Sequence, residues 1–265
     1  MSKSRRRDDE SMKKGIKAII DLLLNVFFWL ALIGECYALY TKNYQLRFYT
    51  RTLLVPMAFM RIFNKEVFFS MHFFVYLCLL LSWFGDILNL IVDIKIQYLA
   101  SAIYTFSYLS FGIVFYNFLK KKWMFVNYIF YTFFAIVGVI VFFVFYFPTL
   151  SDTLTKIHLV IHGIVLLFAL IWAFTIRKDL GNIAFKYFIP SVVLMLIANV
   201  LYAFDFYYIN TWGSIHYFFK RHTSVDVVVA ICYGLYIYLF TQGIKYLKYA
   251  KAFKKVEKEM PVEAI

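Results

Sequence analysis

Ionisable side chains stand inside long apolar runs or at their edges, among them Glu35, Arg51, Asp86, His158, His162, Asp205 and Asp226. An ionisable group in such a setting is costly, so it faces polar partners or water and marks candidate chemistry by default. Their spacing groups them further. Ser82, Asp86, Asn89 and Asp93 fall at i, i+4, i+7 and i+11, one face of a helix. Asn199, Tyr202 and Asp205 are three apart and drift slowly around a helix axis. Asp21, Asn25 and Glu35 share a wedge of about 80° at 100° per residue. A polar stripe on an otherwise apolar helix needs water or polar partners, so these faces are expected to line a wet pocket together. His158 and His162 have the i, i+4 spacing that places two imidazoles on one metal. Simpler readings compete at several positions: Asp93 and Asp226 as interfacial groups at helix ends, Asp21 as a snorkelling or capping residue, Glu35 with Arg51 as a structural ion pair, and the two histidines as tolerated polar residues near an interface. The sequence contains no nucleophile elbow, phosphate-binding loop, H-E-x-x-H run or dinucleotide fingerprint.

The elements that must position these residues follow from composition. The chain is 63% hydrophobic and 16% charged over 265 residues, against about 25% charged in ordinary soluble domains. That supply of apolar residues covers roughly eight bilayer spans of about 20 residues. It excludes a disulfide scaffold, a disordered chain and a two-domain soluble enzyme. Candidate spans run about 16–40, 49–63, 67–92, 96–119, 125–147, 154–176, 184–209 and 225–247, with Pro56 inside the short second one. The expected fold is an all-α polytopic integral membrane bundle. A basic tail (1–15) precedes the transmembrane domain (16–248), and a charged tail (249–265) follows it. The first apolar run is too long for the core of a signal peptide and reads as an uncleaved span. Cys36, Cys78 and Cys232 sit in apolar runs without metal or redox spacing and read as small buried hydrophobes.

The net charge of +13 has a topological reading instead of a nucleic-acid one. With eight spans and an inner N-terminus, 21 of the 28 Lys and Arg fall in inner segments. That bias supports two cytoplasmic termini. In this register Glu35, Arg51, Asp86, His158, His162, Asp205 and Asp226 all lie in the outer half of the membrane, whereas Asp21 lies in the inner half. The expected location is a multi-pass integral membrane protein, in the inner (cytoplasmic) membrane of a bacterium or an internal membrane of a eukaryote.

Four patches in order, Tyr49–Pro56, Ser82–Leu88, Ala203–Asp205 and Tyr238–Gln242, together resemble the YhhN family of lysoplasmalogenase-like membrane proteins. Tyr49-Thr50-Arg51-Thr52-Leu53-Leu54-Val55-Pro56 is similar to the Lys-Pro-Leu run after that family's first helix. Ser82-Trp83-Phe84-Gly85-Asp86-Ile87-Leu88 resembles its small-polar and Gly-Asp signature. Ala203-Phe204-Asp205 resembles its later Ser-Asp pair, and Tyr238-Leu239-Phe240-Thr241-Gln242 its closing Tyr-x-x-x-Gln. The chain departs from the pattern at Arg51 (Lys in the family), Thr52 (Pro), Tyr108 (His) and Phe204 (Ser).

The resemblance implies an eight-helix fold and hydrolysis of the vinyl-ether bond of a lysoplasmalogen, giving a fatty aldehyde and a glycerophospho head group. Two carboxyls suit that reaction, one protonating the vinyl carbon and the other stabilising the resulting cation or activating water. On this reading Asp86 is the acid and Asp205 the base or stabilising carboxylate. Arg51 holds the substrate phosphate, and Glu35, Ser82, Asn89, Tyr108 and Tyr202 complete the substrate-binding shell. No cofactor and no metal are expected, and the partners are membrane lipids and a lysophospholipid-like substrate, not nucleic acid. Two alternatives remain open: a non-enzymatic membrane protein that binds or transports a lipid or small molecule, and a metal-dependent lipid hydrolase built on His158 and His162.

Overall fold

A computed structural model describes residues 3–63, 73–91, 94–118, 153–203 and 223–259. The expected fifth span, together with Asp93 and Asp205, lies outside these residues. The described chain is helical, with no strand among the described residues. Its principal helices are α1 (Lys3–Thr41), α2 (Tyr44–Ile62), α3 (Phe73–Asn89), α4 (Ile94–Phe118), α5 (Thr153–Thr175), α6 (Ile189–Ala203) and α7 (Thr223–Glu259). A single turn, Arg177–Leu180, and a π-helical turn, Ala184–Phe188, join α5 to α6. Four described stretches are long and apolar enough to cross a membrane: Gly15–Thr41, Lys95–Tyr116, Ala184–Tyr202 and Thr223–Leu247. Phe73–Asn89 and Val160–Thr175 are apolar but shorter. The α1 surface exposes Ile19, Leu22, Val26, Phe27, Leu30 and Ile33. A contiguous exposed face of this kind is foreign to a soluble monomer and fits contact with lipid.

Each described helix packs on the next described one, and α4 packs directly on α5. α7 closes the ring by packing on α1, α2 and α6. The core is filled by large apolar side chains from nearly all of these helices, among them Phe28, Leu54, Leu79, Phe111, Met195 and Phe240.

Two local devices set the geometry of α2, which begins five residues earlier than the apolar run alone suggests. The first is the turn out of α1. Asn43 N–H donates to Ala38 O at 2.9 Å and Lys42 N–H to Leu39 O at 3.3 Å. Lys42 takes a left-handed φ of 56°, which makes this a Schellman ending with Lys where Gly is usual. Asn43 then caps α2, its side chain accepting from Leu46 N–H at 3.1 Å. This cap recruits residues 44–48, with Gln45 and Arg47 among them, into the helix. The turn folds α2 back along α1, and Gly34 admits the close approach: a Cβ there would stand 2.7 Å from Thr50 Cγ2.

The second device concerns Pro56. Proline has no N–H, so it leaves the carbonyl four residues earlier, Thr52 O, without its helical donor. Trp83 of α3 supplies one: its indole N–H donates to Thr52 O at 3.0 Å. The bond ties α2 to α3 three residues before Asp86.

Candidate functional site

The polar residues gather at two ends of the bundle. At the end where α1 turns into α2, Asp86 is completely buried on α3. Three donors converge on its carboxylate. Arg51 Nε lies 2.8 Å from Oδ1, the Tyr104 hydroxyl donates to the same oxygen at 2.6 Å, and the Tyr233 hydroxyl donates to Oδ2 at 2.5 Å. The Arg51 guanidinium also lies over the Tyr233 ring, 4.1 Å from its centroid. Gly85 makes the Tyr104 contact possible, because a Cβ there would sit 2.9 Å from that ring. Buried charges persist when they are paired and hydrogen-bonded, and Asp86 meets that condition with both oxygens.

Glu35 extends the network. It too is completely buried. Its Oε2 accepts from the Thr50 hydroxyl at 2.9 Å, and its Oε1 lies 3.4 Å from Arg47 Nε and 3.8 Å from Arg51 Nη1. Arg51 is thus clamped between two carboxylates, and two arginines balance two acids. The ion-pair reading of Glu35 and Arg51 holds, with Arg47 and Asp86 added to it.

Beside this network lies a partly enclosed cavity of about 70 Å³, space for several waters at roughly 10–15 Å³ each. Its wall includes Arg51, Asn89, Tyr108 and Tyr202, four residues expected at the site, and also Gln97, Ser101, Tyr104, His162, Asn199 and Tyr233. Asp86 does not line it: Arg51, Tyr104 and Tyr233 stand between its carboxylate and the cavity. Ser82 lies deeper, bonded to the Ser107 hydroxyl at 2.7 Å and 3.4 Å from the Tyr236 hydroxyl. The Tyr202 hydroxyl donates to Asn89 Oδ1 at 3.3 Å, joining the stripes of α3 and α6 across the cavity.

His162 is held at both ring nitrogens, Nδ1 2.6 Å from the Thr105 hydroxyl and Nε2 3.0 Å from Asn199 Oδ1. Asn199 Nδ2 in turn donates to the Tyr108 hydroxyl at 3.1 Å. A metal on His162 would have to displace one of these partners. Among the described residues no three His, Cys, Asp or Glu side chains group as metal ligands; the His158 side chain is not among those described. Gln97 Oε1 is buried without a hydrogen-bond partner, which leaves an acceptor at the cavity wall.

The wedge of Asp21, Asn25 and Glu35 divides between the two ends. Fourteen residues of helix separate Asp21 from Glu35, about 21 Å at 1.5 Å per residue. Asp21 pairs instead with Lys245 of α7 at 2.8 Å.

The signal for the unforeseen wall residues was present on α4. Gln97, Ser101 and Tyr104 fall at i, i+4 and i+7 and lead to the expected Tyr108 at i+11, the same one-face spacing that singles out the α3 stripe. Tyrosine conceals it, because in a chain with 22 tyrosines its default reading is packing or interface. Tyr233 carries no comparable local signal.

No family model matches this chain, and no curated protein or solved structure does either.

Proposed function

We propose that this chain is a YhhN-like membrane protein of eight spans with both ends cytoplasmic, and that the polar cavity hydrolyses the vinyl ether of a lysoplasmalogen-type lipid. The observation that carries this reading is the convergence of Arg51, Asn89, Tyr108 and Tyr202 on one cavity, with Glu35 and Asp86 in the network behind it and Ser82 buried one turn before Asp86. The cavity wall is amphipathic. Arg51 supplies a cation and Gln97 a spare acceptor, while Ala100, Ala198 and Val229 supply apolar surface. That suits the polar end of a single-chain amphiphile.

The geometry redistributes the roles that resemblance implies. A general acid must reach the atom it protonates, and Asp86 is screened from the cavity with three donors on its carboxylate. It serves as a positioning residue: it fixes the Arg51 fork and orients the phenols of Tyr104 and Tyr233. Arg51, held by Asp86 and Glu35, receives the substrate phosphate as a pre-set planar donor. The proton donor to the vinyl carbon is then Asp205, three residues beyond the cavity residue Tyr202 in sequence. Water adds to the resulting oxocarbenium carbon and returns a proton, and the hemiacetal collapses to aldehyde and alcohol.

The screening of Asp86 also favours a second reading, a membrane protein that binds or carries such a lipid without cleaving it. Fatty-aldehyde release from a lysoplasmenyl phospholipid by the purified protein separates the two. Hydrolysis requires release that falls at least a hundredfold in Asp205→Asn. Saturable binding without aldehyde selects the carrier, and full turnover in both Asp86→Asn and Asp205→Asn removes the carboxylate assignment.

A further inference from the structure

At the opposite end of the bundle from the cavity, Arg61 stands in the last turn of α2 with 6% of its surface exposed. Its Nε, Nη1 and Nη2 are all buried, and none has a hydrogen-bond partner. Buried polar groups almost always have partners, and an exception requires an explanation. A guanidinium cannot escape by losing its proton, and it carries five N–H donors.

The surroundings hold the group without satisfying it. The guanidinium lies over the Tyr238 ring, 4.6 Å from its centroid. That ring packs against Phe28 at 5.6 Å and Trp29 at 4.9 Å. The aromatic floor supports the plane of the fork, and the Tyr238 hydroxyl acts on the guanidinium without reaching hydrogen-bond geometry. The Tyr238 hydroxyl is engaged by Gln242 Nε2 at 3.0 Å. Asp21 is near enough to act on Arg61 electrostatically, but Lys245 Nζ claims its carboxylate at 2.8 Å. Among the described residues, Arg61, Lys245 and Asp21 together leave one surplus positive charge. Asn25, on the α1 face, donates to Asp21 O at 2.8 Å and keeps its own buried Oδ1 unpaired.

We infer that Arg61 is the centre of an anion site between α1, α2 and α7, and that its occupant is the phosphate of an anionic phospholipid. A planar fork with unused donors matches the paired oxygens of a phosphate. The surplus charge requires an anion, not a neutral acceptor. A lipid source follows from the flanks. Met60 and Phe63, on either side of Arg61 in sequence, are exposed, as are Val26, Phe27 and Leu30 on α1, so a ligand approaching here crosses apolar surface suited to acyl chains. Trp29, part-exposed and packed on Tyr238, is the ring that yields when the headgroup enters. Basic sites between membrane helices bind acidic headgroups in this manner.

The test uses the full chain in detergent, with native mass spectrometry to count bound phosphatidylglycerol or phosphatidylcholine. Phosphatidylglycerol is expected to bind saturably, and at least tenfold more weakly to both Arg61→Gln and Arg61→Met. Equal binding by wild type and either variant overturns the site. A phosphatidylglycerol analogue with a photoreactive diazirine near its headgroup tests the wild type alone, so the proposal does not depend on either variant folding. Crosslinks at Trp29, Met60 or Phe63 support it, and crosslinks confined to other surfaces overturn it. Inorganic phosphate provides the last arm. If millimolar phosphate displaces the lipid completely, the anion is a soluble one and the lipid assignment falls; retention of the lipid supports it.

Discussion

Arg51 and Arg61 stand ten residues apart on α2, about 15 Å along its axis, and are 7% and 6% exposed. Arg51 is met by Asp86 and Glu35 and lies over Tyr233. Arg61 lies over Tyr238 and has no acceptor. The same side chain, on one helix and with nearly the same small exposed surface, is answered by acids at one end and left without an acceptor at the other. The difference lies in the neighbouring helices. α3 brings a Gly-Asp pair to Arg51, with the glycine admitting Tyr104, whereas Asp21, the described acid that acts on Arg61, is already held by Lys245. A closed network rigidifies and aims its members. An open one awaits a partner from outside.

Breaking the closed network should have the largest effect. Asp86→Ala leaves Arg51 and two phenols without their shared acceptor, and a loss of about 3–5 kcal/mol is expected for an orphaned buried charge. Equilibrium unfolding in mixed detergent reads it. A loss below about 1 kcal/mol would mean that Arg51 finds water or Glu35 unaided.

Tyr104→Phe removes one donor from Asp86 and keeps Arg51 in place, so about 1.5–3 kcal/mol should be lost, the range for a hydrogen bond to a charged group. The same unfolding assay checks it, and the double variant with Asp86→Ala should be less than additive, because both changes act on one carboxylate.

Arg61→Met should move the other way. Removing an unanswered buried charge is expected to stabilise lipid-free protein by about 1–3 kcal/mol. The gain should shrink when phosphatidylglycerol is added, and a loss in lipid-free detergent would erase the contrast between the two arginines.

The smallest effect belongs to the scaffold that both share. Trp83→Phe frees the carbonyl that Pro56 leaves open, at a cost of about 1 kcal/mol. Faster amide exchange around Thr52, with little change at α4, is the expected signature.

Much of the helical frame was legible from hydropathy, since apolar runs bounded by charge give helices nearly at their observed positions. The ends were less so. The start of α2 depends on the Asn43 cap and on a left-handed Lys42, which no apolar count registers. The α3 stripe pointed to Asp86 because helical spacing is local. Its partners were hidden because Arg51, Tyr104 and Tyr233 come from three other helices, and contacts across a bundle leave no periodic trace. In the sequence Arg61 is one more basic residue at a span end. Its burial under Tyr238 is a property of packing and cannot be read from its place in the chain.

The measurement closest to the central claim is fatty-aldehyde release from a lysoplasmenyl phospholipid by the purified wild type and by Arg51→Gln. If Arg51, held by Asp86 and Glu35, receives the phosphate, the wild type releases aldehyde and the variant loses at least a hundredfold in kcat/KM. A folded wild type that releases none, or a variant that matches it, would contradict the claim.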